Sequence, residues 1–110
     1  MRIRLRSSGV AIVVAVSGEV DLCTAPRLAQ ALDQASRQRR QVVVDLEKVA
    51  FMDCAGLRVL LRASDQIRSD GGRFYVTPGS RQVRKLFMLT DADRLLRFVP
   101  PATASIEAAA

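Results

Sequence analysis

The chain has 110 residues, 49% hydrophobic and 25% charged, and its 17 basic against 11 acidic side chains give a net charge of +6. This length and composition are typical of one soluble globular domain, so we predict a single domain over residues 1–110. The absence of histidine excludes His-based catalytic triads, imidazole general bases and His metal ligands. Because no nucleophile with a neighbouring base is visible either, we expect no enzyme, no cofactor and no metal.

The chain also lacks the patterns that direct proteins to membranes. Its longest apolar run, Val10–Val16, is too short to cross a bilayer, and residues 1–20 show no signal-peptide pattern. We therefore expect a cytoplasmic protein with no membrane partner. The positive charge favours acidic partners. Direct nucleic-acid binding is not expected, because only Phe74 and Tyr75 offer exposed stacking side chains on a strand and no RNA-binding motif surrounds them.

The first part of the chain reads as three strands and one helix. Met1–Leu5 alternates basic and apolar residues, as in a half-exposed strand, and a hairpin turn follows at Ser8 and Gly9. Val10–Val16 and Gln41–Leu46 are apolar, β-branched runs that suit paired interior strands. Between them, helical spacing over residues 25–40 predicts an amphipathic helix with Thr24 as its cap.

Alternation of helices and strands continues to the end of the chain. A second helix is predicted after Asp53 and a third after Ser80, with the strand Arg73–Thr77 between them. Residues 100–110 are predicted to form a short or frayed terminal helix. Together these elements predict an α/β fold in which a mixed β-sheet packs against amphipathic helices. The sequence does not decide whether the helices cover one face or both.

Two strand-to-helix junctions carry residues that packing alone does not explain. They are Gly18–Asp21 before the first helix and Phe51–Leu57 at the start of the second. Such junctions fall at the carboxyl edge of a parallel sheet, so we expect them to be neighbours. Asp53 suits an N-cap. Gly56 costs about 1 kcal/mol relative to alanine in a helix, and close approach of another backbone would explain it.

These segments resemble the STAS domain family, and within it the bacterial anti-sigma factor antagonists. The likeness covers nearly the whole chain, and the order and spacing of its segments make it specific. The segments are Gly18–Asp21 with Thr24–Pro26, Val42–Leu46, Phe51–Leu57, Gly71–Arg73, Val83–Leu86 and Leu89–Thr90.

The resemblance implies a switch protein that binds an anti-sigma factor, usually a serine/threonine kinase of the GHKL type, and so frees a sigma factor. In the family, the phosphorylated Ser or Thr lies immediately before the Gly-Leu pair of the second helix, and that position is Ala55 here. The preceding residue is Cys54, so neither position has a hydroxyl. The resemblance therefore implies an antagonist that the usual phosphorylation cannot switch off.

The sequence supports two hypotheses about the edge of the sheet where the two junctions lie. The first is a protein-docking surface formed by Asp21, Thr24, Asp53, Cys54, Ala55, Gly56, Leu57 and Arg58. The alternative is a STAS module that holds a small anion or a lipid at the amino end of the second helix. Arg58 favours the docking surface, since arginine is enriched at interface cores.

Cys23 and Cys54 lie on the two junctions. Free cysteines are among the most buried residues, so we expect both to be small core side chains. The other interpretation is a redox pair, which requires Cα atoms within about 7 Å.

Overall fold

A computed structural model describes residues 1–101 as a four-stranded sheet with three helices. The strands lie in the order β1-β2-β3-β4, with β1 antiparallel to β2 and the other neighbours parallel. The elements are β1 (Arg2–Ser8), β2 (Ala11–Val20), α1 (Ala25–Gln38), β3 (Gln41–Met52), α2 (Cys54–Ser69), β4 (Arg73–Val76), α3 (Arg81–Leu89) and a 3₁₀ turn (Ala92–Arg94). This architecture confirms the predicted α/β class with a mixed sheet.

β2 and β3 extend beyond their predicted ends. The prediction stopped at Val16 and Leu46, where the apolar runs end, but pairing continues to Val20 and Met52. Hydrogen bonds between strands need only backbone groups, so the polar residues that follow do not end the strands. The register shifts near Gly18, whose φ of +89° suits glycine and whose added Cβ would lie 3.2 Å from the Cα of Met1.

The three helices contribute to one core on one face of the sheet. Alternate residues of β2 and β3, such as Ile12 and Val44, join this core with side chains from all three helices. The other face carries a second, small cluster of Val13 and Val43, against which Tyr75 and Val99 pack. The question that the sequence left open is thus answered: the helices cover one face, and on the other face Tyr75 of β4 and Val99 of the C-terminal segment pack against Val13 and Val43.

β4 differs from the prediction in one respect. Phe74 is 1% exposed and belongs to the main core, so the expectation of an exposed aromatic side chain there is wrong. Its neighbour Tyr75 points to the opposite face because successive strand residues alternate.

The C-terminal part packs beside α3. Ser80 caps α3, as predicted, by accepting a hydrogen bond from the amide of Val83 at 3.4 Å. Phe98 forms an isolated parallel bridge with Val76, and its ring centroid lies 5.6 Å from that of Phe87. The predicted terminal helix falls almost entirely on residues 102–110, outside the described residues. Over residues 1–101, no helix has both the length and the hydropathy needed to cross a bilayer.

Candidate functional site

The two predicted junctions lie side by side at the carboxyl edge of the sheet. Val20 at the end of β2 pairs with Met52 at the end of β3. The amide of Asp53 then donates a hydrogen bond to the carbonyl of Val20, at 3.1 Å. The prediction that the junctions are neighbours is confirmed.

Asp53 caps α2, as predicted. Its Oδ1 accepts hydrogen bonds from the amides of Ala55, at 2.9 Å, and Gly56, at 3.2 Å. A helix begins with amides that have no partner within the helix, and a carboxylate there also opposes the positive end of the helix dipole. Two of the donors at this helix end are therefore already used.

Asp21 organises the neighbouring junction. Its Oδ1 accepts hydrogen bonds from the amides of Cys23 and Thr24, at 2.9 and 3.0 Å. The hydroxyl of Thr24 in turn accepts from the amide of Asp21, at 2.9 Å. The amide of Thr24 is the main cause of the lowered pKa of the Asp21 carboxyl, with the Thr24 hydroxyl and the Cys23 amide adding to it.

Thr24 does not have the role that the sequence predicted. It precedes α1, but its side chain makes no capping hydrogen bond to that helix, and its backbone is already helical. A cap needs an extended backbone to aim its oxygen at the first turn. Thr24 instead closes the turn with Asp21.

Gly56 lies where α2 crosses the end of the sheet. A Cβ at this position would lie 2.7 Å from Cγ1 of Val20 and 2.9 Å from Cγ of Met52. A close approach was predicted, but the atoms nearest to Gly56 are those of side chains and not those of a backbone. The glycine therefore allows α2 to begin directly against β2 and β3.

Exposure divides the predicted docking residues into two groups. Cys54 and Arg58 are exposed, and Asp21, Thr24, Asp53 and Ala55 are half-buried. We call these six residues the α2 edge. Leu57 is only 5% exposed and belongs to the main core, and Gly56 is also buried. These two residues shape the edge from beneath, in contrast to the surface role that we predicted for them.

Both cysteines are exposed and free. The expectation that they are buried core side chains is therefore wrong. Helix geometry explains Cys54, because it is the first residue of α2 and the apolar stripe of that helix begins only at Gly56. Cys23 lies two residues after Asp21 in an exposed turn.

The predicted docking residues leave out three residues near this edge. Leu22 is 75% exposed between Asp21 and Cys23, and Phe51 is 42% exposed on β3, beside Glu19. A leucine within a polar turn is a signal that could have been noticed. The third residue, Gln82, has no such signal, because its role depends on how α3 is placed.

Gln82 fastens α3 to the end of β3. Its Oε1 accepts from the amide of Met52 at 2.9 Å, and its Nε2 donates to the carbonyl of Met52 at 2.8 Å. β4 is only four residues long and pairs with residues 41–44 of β3. Gln82 thus supplies the hydrogen bonds that a longer β4 would give to Met52.

Across residues 1–101, no three Cys, Asp or Glu side chains gather closely enough to hold a metal ion. The carboxylates of Asp21 and Asp53 and the hydroxyl of Thr24 are instead bonded to one another or to backbone amides. This arrangement favours a preformed surface over a site with groups waiting for a ligand.

Comparison with known proteins gives the family. The family model described as "Mlab, STAS domain" matches residues 3–98. The anti-sigma-B factor antagonist of Staphylococcus aureus is 29% identical over 84 residues, which are 76% of this chain and 78% of that protein.

Solved structures agree with this assignment. An anti-sigma factor antagonist from Mycobacterium paratuberculosis superposes with a TM-score of 0.87 at 27% identity, over 97% of this chain and 92% of that one. The phosphorylated form of the Bacillus cell fate determinant SpoIIAA gives a TM-score of 0.77 at 18% identity, over 99% of this chain and all of that one, and so shows the shared fold. Because the family model matches most of its length, this chain belongs to the STAS domain family.

Proposed function

We propose that this protein is an anti-sigma factor antagonist, which binds an anti-sigma factor through the α2 edge and so releases a sigma factor. The observation that carries the proposal is the hydrogen bond from the Asp53 amide to the Val20 carbonyl. It joins the Asp21 turn and the start of α2 into one surface. The relatives named as antagonists in Staphylococcus aureus and Mycobacterium paratuberculosis support the same function.

The chemistry of the edge suits protein docking. It combines a cation at Arg58 with carboxylates at Asp21 and Asp53, and exposed apolar groups lie beside it at Leu22 and Phe51. A preformed surface binds at a low entropic cost because few side chains must be ordered. Interfaces that exchange partners commonly bury roughly 1,600 Å² or less.

The alternative of an anion or lipid site finds less support. Anion sites at helix amino ends use free backbone amides and the positive end of the helix dipole. At α2 the amides of Ala55 and Gly56 already donate to Asp53. The carboxylate would repel an incoming anion at the point where it should bind.

We further propose that the partner is an anti-sigma factor of the GHKL kinase type and that Ala55 prevents the usual control by phosphorylation. A phosphate would add about −1.5 to −2 charges beside Asp53, which disfavours both the cap and an acidic partner. Ala55 offers a methyl group at that position. The antagonist then stays competent to bind, and it is controlled by its abundance, by another modification or not at all.

The binding test uses purified kinase-type anti-sigma factors encoded in the same genome, titrated one by one by calorimetry. We expect one of them to bind, and we expect Asp53→Ser, which keeps a capping oxygen but removes the charge, to weaken binding about tenfold. Ser80→Ala, which removes the cap of α3, is the matched control and should bind normally. Thermal stabilisation by phosphate or lipid, with no binding to any anti-sigma factor, would favour the alternative.

The phosphorylation test incubates the bound pair with ATP and maps phosphate by mass spectrometry. Wild type should remain unmodified, whereas Ala55→Ser should gain one phosphate. Cys54→Ser places a hydroxyl one residue earlier and serves as the positional control. Phosphate on α2 of the wild-type protein would refute the role assigned to Ala55.

A further inference from the structure

The outer face of α3 carries two adjoining hollows that the α2 edge does not include. One, of about 390 Å³, is lined by Arg81, Arg84, Lys85, Met88 and Leu89. The other, of about 190 Å³, lies between α3 and the segment that follows it, where Phe98 and Asp93 line it. Arg84 and Met88 line both hollows, so the two form one continuous depression.

The depression exposes apolar side chains that the fold does not need at the surface. Met88 is 67% and Leu89 74% exposed, although α3 is anchored by the buried Val83 and Phe87 on its other side. Phe98 is partly exposed and is held in place against Phe87. Adjacent exposed apolar side chains in a concave surface are typical of protein-binding sites.

Cations occupy the end of α3 where the helix dipole disfavours them. Arg81 is the first residue of the helix, Arg84 and Lys85 follow within the next turn, and the first turn contains no acidic residue. Cations near a helix amino end oppose the dipole. The one ion pair in the described part of the chain joins Arg37 to Asp33, so these three cations form no ion pair there, although Asp93 lines a hollow together with Arg84. An acidic group from outside would offset the charge of Arg81 at this helix end and could pair with Arg84 and Lys85.

We propose that this depression, the α3 patch of Arg81, Arg84, Lys85, Met88, Leu89 and Phe98, docks an acidic amphipathic segment of a partner protein. Carboxylates of the segment would face the cations, and its apolar side chains would fill the hollows beside Met88 and Phe98. The inference goes beyond the proposed function, because it concerns a surface outside the α2 edge.

Charge and shape favour this occupant over others. A second copy would bring its own cations against these in a chain of net charge +6, and like charges across an interface are unfavourable. A lipid surface is flat, whereas the patch is a shallow depression between α3 and the segment that follows it. Phosphates of a nucleic acid would pair with the cations but would leave Met88 and Leu89 uncovered.

The test measures fluorescence anisotropy with two labelled helical peptides of equal negative charge. One carries Glu with Leu at helical spacing, and the other has Ser in place of each Leu. We expect the wild-type protein to bind the Leu peptide about tenfold more tightly, which corresponds to one well-buried apolar anchor. Met88→Ser with Leu89→Ser should remove this preference, and both residues are exposed, so folding should be retained.

Charge reversal separates the patch from the overall charge of the protein. Arg84→Glu with Lys85→Glu should abolish binding of both peptides, whereas Arg2→Glu with Arg4→Glu on β1, which changes the net charge equally, should preserve the preference for the Leu peptide. Asp53→Ser should leave peptide binding intact, so failure here and failure of the proposed function can be told apart.

Four results would overturn the proposal. They are equal affinity for the two peptides, an equal loss in both charge-reversal variants, binding to phosphatidylglycerol vesicles that needs Met88 and Leu89, and self-association that Met88→Ser abolishes.

Discussion

Gly56 of α2 lies so close to Val20 of β2 that a single added carbon would stand 2.7 Å from the valine methyl group. Val20 is fully buried, and its carbonyl also accepts the hydrogen bond of Asp53. One residue of β2 thus fixes both the height of α2 above the sheet and the position of its cap. The α2 edge depends on this contact, although Val20 itself is not at the surface.

The contact predicts that Gly56→Ala destabilises the protein. Alanine favours a helix over glycine by about 1 kcal/mol, but overpacking a core costs about 1–3 kcal/mol. We therefore expect a net loss in the free energy of unfolding, measured by urea denaturation. Val20→Ala removes the clashing methyl groups, so the double variant should lose less than the sum of the two single variants. Additive losses would show that Gly56 has another role.

The Asp21 turn predicts a dependence of stability on pH. The folded protein lowers the pKa of Asp21 below its ordinary value of about 3.9, since amides and a hydroxyl stabilise the ionised form. A carboxyl with a lowered pKa stabilises the folded state above its ordinary pKa, and this contribution is lost as the pH falls through the folded value. Asp21→Asn should therefore destabilise the protein at neutral pH. The difference from wild type should shrink below about pH 4, as followed by urea denaturation at each pH.

The exposure of both cysteines predicts fast thiol chemistry in the folded state. Titration with an aromatic disulfide reagent should release two equivalents without denaturant, and Cys23→Ala and Cys54→Ala should each release one. Because Cys54 is part of the α2 edge, its alkylation by a bulky maleimide should block binding of the anti-sigma factor.

The redox hypothesis for Cys23 and Cys54 remains a prediction. Hydrogen peroxide would oxidise the two thiols to one disulfide and be reduced to water, so the protein would lose two hydrogen atoms by mass. Either single variant should abolish this change. Oxidation that joins two molecules, or that leaves both thiols free, would contradict an internal pair.

The fold was largely predictable because its patterns are local. Each pattern reflects one neighbouring surface. The patterns are the alternation of basic and apolar residues in β1, the apolar runs of β2 and β3, and the apolar stripes of the helices. The ends of β2 and β3 were missed because polar residues interrupt the apolar runs after Val16 and Leu46, although pairing continues to Val20 and Met52. Phe74 and Tyr75 could not be ranked for burial by composition, since only the packing of the helices on one face decides which of the two is inside.

The site was predictable where a residue acts on its own neighbours in sequence. Asp53 as a cap is such a case, because its partners lie within the next three residues. Thr24 was assigned the wrong partner, since its backbone is already helical and its hydroxyl accepts from the amide of Asp21 and not from the first turn of α1. The role of Gln82 could not be predicted because its hydrogen-bond partner, Met52, lies thirty residues away in the chain.

The long-range contact between Gln82 and Met52 gives the last prediction. Gln82→Ala removes both hydrogen bonds to the backbone of Met52 and leaves those groups without partners at the end of β3. Leaving a buried polar group without a partner costs about 1–3 kcal/mol per group. Because water can partly replace the glutamine, we expect Gln82→Ala to lower the free energy of unfolding by about 1–3 kcal/mol in total. Gln82→Glu keeps an acceptor for the Met52 amide but sets a carboxylate against the Met52 carbonyl, so its loss should be intermediate at low pH and larger at neutral pH. Hydrogen exchange of the Met52 amide checks the assignment, because it should speed up in Gln82→Ala while the amide of Val44, deep in the sheet, keeps its protection. Unchanged exchange at Met52 would mean that another group replaces the glutamine side chain. Gln82 would then not be the residue that holds α3 in position.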